Sequence, residues 1–225
     1  MKTHIPNFIT CLNLFSGCVG VTYAFAGELD IAAYCVLASG IFDFFDGLAA
    51  RVLRVKSPIG KELDSLADVV SFGFLPGAVL YSMLGTAWPG NAYLAYLGFV
   101  VTVFSALRLA KFNIDDRQST DFVGLNTPMN AFYVISLPFV AGAYGAIVYH
   151  PVFLVSSIVV TSLLLVSNVR LFSLKFTSLS WHENAWKFTF LLVSALLVVW
   201  LGFAAAPLVL ALYFLCSFIH FRQAG

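Results

Sequence analysis

The chain has 225 residues, of which 60% are hydrophobic, 16% aromatic and only 10% charged, and its formal net charge is +1. Soluble domains carry roughly 45–50% apolar residues, and a mean hydropathy of +0.92 exceeds what a water-soluble fold of this size can hide. Such a composition suits lipid as its solvent, and nucleic acid is not an expected partner.

The first apolar run covers residues 8–26, close to the ~20 residues a helix needs to cross the hydrocarbon core. Asn7, Thr10 and Asn13 recur every three residues on it and form one polar face. They can contact a bound ligand or hold helices together. The small residues at 23–27 resemble a signal-peptidase site. The run is long for a leader, however, and its polar groups favour a resident helix. Cys11, Cys18, Cys35 and Cys216 lie in apolar runs without metal-ligand spacing and read as small buried hydrophobes.

The second run, 31–53, ends in a charged stretch that continues to the start of the third, 66–84. A fourth run covers 92–109 and is followed by the polar segment 111–127. Runs at 128–149 and 152–169 precede a second polar segment, 170–187, whose Trp181 and Trp186 suit an interfacial loop or short amphipathic helix. The last run, 188–221, is too long for one span. Pro207, after the GFAAA stretch, predicts two helices with a tight turn between them. The expectation is an all-α, polytopic membrane bundle of about eight crossings (six to eight), one membrane domain over residues 1–225 with its catalytic half at about 1–130.

Placing the N-terminus in the cytoplasm puts all 12 Lys and Arg residues on the inside: Lys2, Arg51, Arg54, Lys56, Lys61, Arg108, Lys111, Arg117, Arg170, Lys175, Lys187 and Arg222. The opposite loops hold Glu28, Asp30 and His150. This is the distribution the positive-inside rule requires, and it predicts a cell (inner) membrane protein whose charged stretch faces the cytoplasm.

Within that stretch Asp43 and Asp46 share a helix face, continued by Gly47 and Ala50, and Arg51 follows. After a break at Ser57 and Pro58, Gly60, Lys61, Asp64 and Asp68 begin the next helix. The short connection makes the two helices antiparallel neighbours, so four carboxylates converge just below the interface. Acids in hydrocarbon cost several kcal/mol each. A salt-bridge network could compensate them, but an all-oxygen set without soft ligands suits hard divalent cations. Two such ions suit phosphoryl chemistry. The small residues on the same stripe leave room for a flat group.

The pattern D-x2-D-G-x2-A-R-x8-G-x3-D-x3-D, eight fixed positions within 26 residues, resembles in full the signature of the CDP-alcohol phosphotransferase family. The resemblance implies a membrane enzyme that joins the phosphatidyl group of a CDP-linked lipid to an alcohol and releases CMP, with two Mg²⁺ or Mn²⁺ ions. It implies that Asp43, Asp46, Asp64 and Asp68 bind metal and that Asp68 is also the catalytic base. Gly47, Ala50, Arg51, Gly60, Lys61 and Thr10 would contact the nucleotide end of the CDP-lipid. It further implies a homodimer.

Segments around residues 6–17, 60–73, 106–113 and 122–128 resemble the phosphatidylserine synthase branch, which implies CDP-diacylglycerol and L-serine as substrates. Lys111 and Asn126 stand where that branch would carry arginine and proline. A serine site needs a fixed cation near the metals. Arg108 can supply a bidentate fork or be a plain cytoplasmic anchor. Asn13, Lys111 and Asn126 are further acceptor-site candidates. Glycerol 3-phosphate, an inositol phosphate or another lipid as acceptor, or an archaeal-type CDP-lipid as donor, would fit the same chemistry. A proton or cation relay is a rival from another class, though its acids would all lie in one half of the chain.

Overall fold

The structure, a computed structural model, describes residues 4–55, 57–114, 122–174 and 181–224. Lys2, Lys56, Arg117 and Lys175, four of the residues that set the expected orientation, lie outside that range. Helix α1 (His4–Ala26) reverses at Gly27, whose φ of +83° is open to glycine at low cost, into α2 (Leu29–Leu53). Arg54 closes α2 in the left-handed region at φ 52°. Ser57 caps α3 (Pro58–Asp68) by accepting the Gly60 N–H at 3.1 Å, and Pro58 fits the first turn because no amide partner is lost there.

Helix α3 runs without a break into a π-helical turn, Val69–Phe74, and then α4 (Leu75–Ala87). A π turn changes the helical phase and is often found beside functional residues. This one begins directly after Asp68. Residues before it pack on α1, with Asp64 and Asp68 meeting Asp43 of α2, whereas Leu75, Ala78, Val79, Leu80, Met83 and Leu84 after it form the centre of the core. Thr102 donates to the Gly73 carbonyl at 3.0 Å, fastening the widened turn to α5 (Val100–Ile114), which a 3-10 segment (Ala92–Phe99) introduces.

Helices α6 (Thr127–Val148), α7 (Pro151–Val166), α8 (Trp181–Leu201) and α9 (Ala206–Ala224) complete the bundle. Among the described residues, six segments are long and apolar enough to cross a membrane. The last, Asn184–Arg222, has 39 residues, about twice the length of a span. It is divided by the 3-10 segment Gly202–Ala205 just ahead of Pro207, with Gly202 at φ +57°, so α8 and α9 are the two expected helices. The 16 residues of α7 make a shorter rod. The molecule is an all-α polytopic bundle.

Two local expectations are corrected. The segment after α7 does not open as a loop or amphipathic helix. It opens as strand β2 (Arg170–Leu171), paired antiparallel with β1 (Phe122–Val123), and Trp181 already belongs to α8. Gly124, at φ +76°, permits this: its N–H donates to Val169 O at 2.8 Å, while the Leu125 N–H donates to Leu164 O at 2.9 Å. Residues 175–180 lie outside the described range. The cysteines are not uniformly buried either, since Cys11 and Cys18 are exposed and only Cys216 is fully buried. With hydrocarbon as solvent, a small apolar side chain gains little by turning inward. Phe8, Phe15, Phe44 and Trp200 are exposed for the same reason.

Helix α1 approaches the π turn closely, and a Cβ at Gly17 would overlap Ser71 Oγ and lie 3.0 Å from Ser71 Cα. Replacing Gly17 by Val is therefore expected to cost about 1–3 kcal/mol through overpacking. A lowered thermal transition of the detergent-solubilised protein would show it.

Candidate active site

The connection at Arg54–Ser57 lays α3 antiparallel to α2, and α1 packs against both. This brings one oxygen each of Asp43, Asp64 and Asp68 within 4.8 Å of one another. Asp46 is buried in the same region but is held aside, accepting a 2.6 Å hydrogen bond from the Thr10 hydroxyl. Asn13 donates from Nδ2 to Asp68 Oδ1 at 3.3 Å. Its own carbonyl receives the hydroxyls of Ser39 and Ser71 at 3.1 and 3.0 Å. The polar face of α1 therefore both orients two of the acids and joins α1 to α2 and the π turn. Asn7, the third member, places Oδ1 2.9 Å from where a Cβ of Gly60 would stand. A side chain at position 60 would displace it.

Asp64 Oδ1 is buried without a hydrogen-bond partner, as is Asn13 Oδ1. Buried oxygens are seldom left so, and three like-charged carboxylates in a low-dielectric region repel strongly. An all-oxygen cluster of this size with an open acceptor fits a hard divalent cation.

A cavity of about 520 Å³ opens beside the cluster between α1, α2 and α3. Thr10, Asp46, Gly47, Ala50, Gly60, Lys61 and Asp64 line it. Nothing lies within 4 Å of where a Cβ of Gly47 would be, so that part of α2 presents bare backbone to the cavity. Lys61 extends Nζ to Asn113 O at 3.2 Å, and Asn113 Nδ2 donates to Ser65 Oγ at 2.7 Å. These bonds tie the start of α3 to the end of α5, so both basic ends share one end of the bundle. Arg51, by contrast, is exposed and donates from Nε to Gly47 O of its own helix at 3.0 Å. It is not a lining residue of this cavity.

The expected acceptor residues separate. Arg108 is 7% exposed, its guanidinium lies 4.9 Å over the Phe112 ring, and it is within electrostatic reach of Asp68 and Tyr213. Asn13 gives its Nδ2 to Asp68 and leaves Oδ1 unpartnered. Lys111 is on the surface, and Asn126 caps α6, accepting the Met129 N–H at 2.8 Å. The structure adds Asn130, which is fully buried with both side-chain polar atoms unpartnered, and Thr127, whose buried hydroxyl is also unpartnered. A lone amide one turn inside an apolar run is the signal that marks Asn130 in the sequence.

Residues 3–163 match the family model described as CDP-alcohol phosphatidyltransferase. The chain belongs to that family. Relatives include proteins named CDP-diacylglycerol–serine O-phosphatidyltransferase from three bacteria. The Helicobacter pylori protein is 34% identical over 168 residues, covering 73% of this chain and 70% of the relative. The Bacillus subtilis protein is 31% identical over 167 residues, covering 74% and 89%. The Mycobacterium leprae protein is 34% identical over 219 residues, covering 94% and 69%. The last alignment extends well beyond residue 163 and takes in most of the C-terminal helices.

The unrelieved repulsion makes a prediction about the acids. In the absence of divalent ions, Asp64→Asn is expected to raise the thermal transition. Mg²⁺ or Mn²⁺ should raise it in the unsubstituted protein, by the linkage of binding to stability, and leave the variant nearly unmoved. A variant that responds to the ions like the unsubstituted protein would contradict the cluster's role in holding them.

Proposed function

We propose that this chain transfers the phosphatidyl group of CDP-diacylglycerol to L-serine, giving phosphatidylserine and CMP. The observation that carries this reading is the group of three carboxylates from two antiparallel helices, set beside a nucleotide-sized cavity in a chain of this family. The names of its relatives supply the donor and acceptor.

In this reading Asp43, Asp46, Asp64 and Asp68 hold two divalent ions, Mg²⁺ or Mn²⁺. When bound, these supply neutralisation of pyrophosphate charge and stabilisation of the departing CMP oxygen. The bare backbone at Gly47 and the small Ala50 receive the cytidine. Lys61 balances the pyrophosphate. The acyl chains stay in the bilayer. Arg108 holds the serine carboxylate in a bidentate pair.

Asp68 takes the proton from the serine hydroxyl, and the freed oxygen attacks the phosphorus on the lipid side. The bond from that phosphorus to the CMP oxygen breaks, and CMP carries the electron pair away. Asn13 keeps Asp68 Oδ1 in place for this. Among the described residues, no cysteine or histidine lies in the acid cluster or lines the adjacent cavity. The hydroxyls that do line it, Ser57 and Thr10, are engaged in capping α3 and in bonding Asp46, so direct transfer is the simpler route.

The basic residues at one end of the bundle support a cytoplasmic active site in the cell (inner) membrane. The homodimer that the resemblance implies belongs to the same reading and is read by cross-linking in membranes.

Two outcomes test the proposal. Labelled L-serine with CDP-diacylglycerol and Mg²⁺ or Mn²⁺ should yield labelled lipid and CMP in equal amounts. Glycerol 3-phosphate or inositol phosphate outperforming serine would move the assignment to another acceptor. Asp68→Asn should lower turnover by roughly 10²–10⁴-fold, the usual worth of a positioned base, while CDP-diacylglycerol still binds. Turnover like that of the unsubstituted protein would remove Asp68 from its role.

A further inference from the structure

Asn130 is 0% exposed, and neither Nδ2 nor Oδ1 has a hydrogen-bond partner. An amide buried in this way forfeits its hydration on both a donor and an acceptor, at a cost of about 1–3 kcal/mol for each group. Nothing in the local helix requires it, since Asn126 already supplies the cap of α6. Thr127, three residues earlier on the same face, is likewise fully buried with an unpartnered hydroxyl. Two orphaned polar side chains on one stripe of an otherwise apolar helix mark a place where a polar ligand sits.

Their neighbours locate that place. Met129 packs into the cluster of Phe172, Phe190 and Tyr213, and Ala131 packs into the main core with Phe72. Asn130 therefore lies between the C-terminal helix and the π turn that begins after Asp68. Helix α6 also packs on α5, which carries Arg108. Arg108 in turn is within electrostatic reach of both Asp68 and Tyr213. Tyr213 is fixed by its hydroxyl bond to Phe172 O at 2.7 Å. Buried Arg108, Asp68, Tyr213 and the unpartnered face of α6 thus occupy one neighbourhood, and neither Arg108 nor Asn130 lines the cavity beside the acids.

We propose that Asn130, with Thr127, is a specificity-determining residue that reads the α-amino-acid group of the acceptor. A serine zwitterion presents an acceptor and a donor on one carbon, and a side-chain amide presents the complementary pair. Asn130 Oδ1 accepts from the α-ammonium and Nδ2 donates to the α-carboxylate, which Arg108 holds from its other side. Thr127 Oγ1 offers the ammonium a second acceptor. A polyol phosphate has no ammonium to match these acceptors. The inference rests on serine being the acceptor, and its test is built to separate the two.

The experiment uses the full chain in detergent or nanodiscs with Mg²⁺ or Mn²⁺. It measures CMP release with L-serine, ethanolamine (no carboxylate) and 3-hydroxypropionate (no ammonium). N130L, nearly isosteric, should raise the KM for serine by roughly 10- to 100-fold, the range spanned by one or two charge-assisted hydrogen bonds. Its KM for CDP-diacylglycerol should stay within about twofold of the unsubstituted protein, while its weak rates with the two analogues, each of which keeps one of the two groups Asn130 reads, should fall by less than its rate with serine. N130D, run alongside, keeps the size but exchanges the donor for a second acceptor. It should lose serine and keep ethanolamine, inverting their order. If the unsubstituted protein releases no CMP with serine, the acceptor reading falls and takes this inference with it. If it does, and both variants keep the serine KM within twofold or shift the KM for donor and acceptor alike, the inference alone is overturned.

Discussion

Mutual repulsion among carboxylates removed from water is the constraint around which this bundle is organised. An acid inside hydrocarbon is expensive, and several within reach of one another are more so. Three devices meet this cost. The Thr10 hydroxyl takes Asp46 out of the tightest group, and the Asn13 amide supports Asp68. The third is chemical: an open, partnerless oxygen on Asp64, which a divalent cation can satisfy and a hydrogen-bond network does not. A structural salt-bridge network would have closed on itself and left no such group.

The polar groups gathered near the acids fall into two sets of different character. On one side, α1, α2 and the start of α3 enclose a cavity with bare backbone and small residues, suited to a flat base and a pyrophosphate. Elsewhere, α5 carries a buried guanidinium and α6 an unpartnered amide and an unpartnered hydroxyl, the groups of the proposed acceptor site. The π turn after Asp68 belongs to the same design. It lets a single continuous rod present acids before the turn and a close-packed apolar core after it.

Much of this was legible in the residue order because the acids are local to it. Asp43 and Asp46, and again Asp64 and Asp68, sit at helical spacing on two helices joined by a short break, so their meeting follows from geometry alone. Lys111 and Asn126 show where that legibility ended. Both lie near the expected acceptor region in sequence, yet one side chain points outward and the other satisfies a helix end. Their spacing could not say whether a cap or a ligand would claim them. Asn130 is not legible in the sequence, because a single polar residue in an apolar run is ambiguous until its partners are known.

The sequence alone determined the class of solvent, the helical architecture, the break in the last long run and the acid cluster. Each of these follows from period, length or the cost of charge in lipid, and none needs a distant contact. Tertiary structure alone decided which acid stands apart and which polar face of α1 supports the others. It also decided that a helix almost at the C-terminus, through Tyr213, completes the surroundings of Arg108. Such outcomes depend on how rods far apart in the chain rotate against one another, and packing sets that rotation.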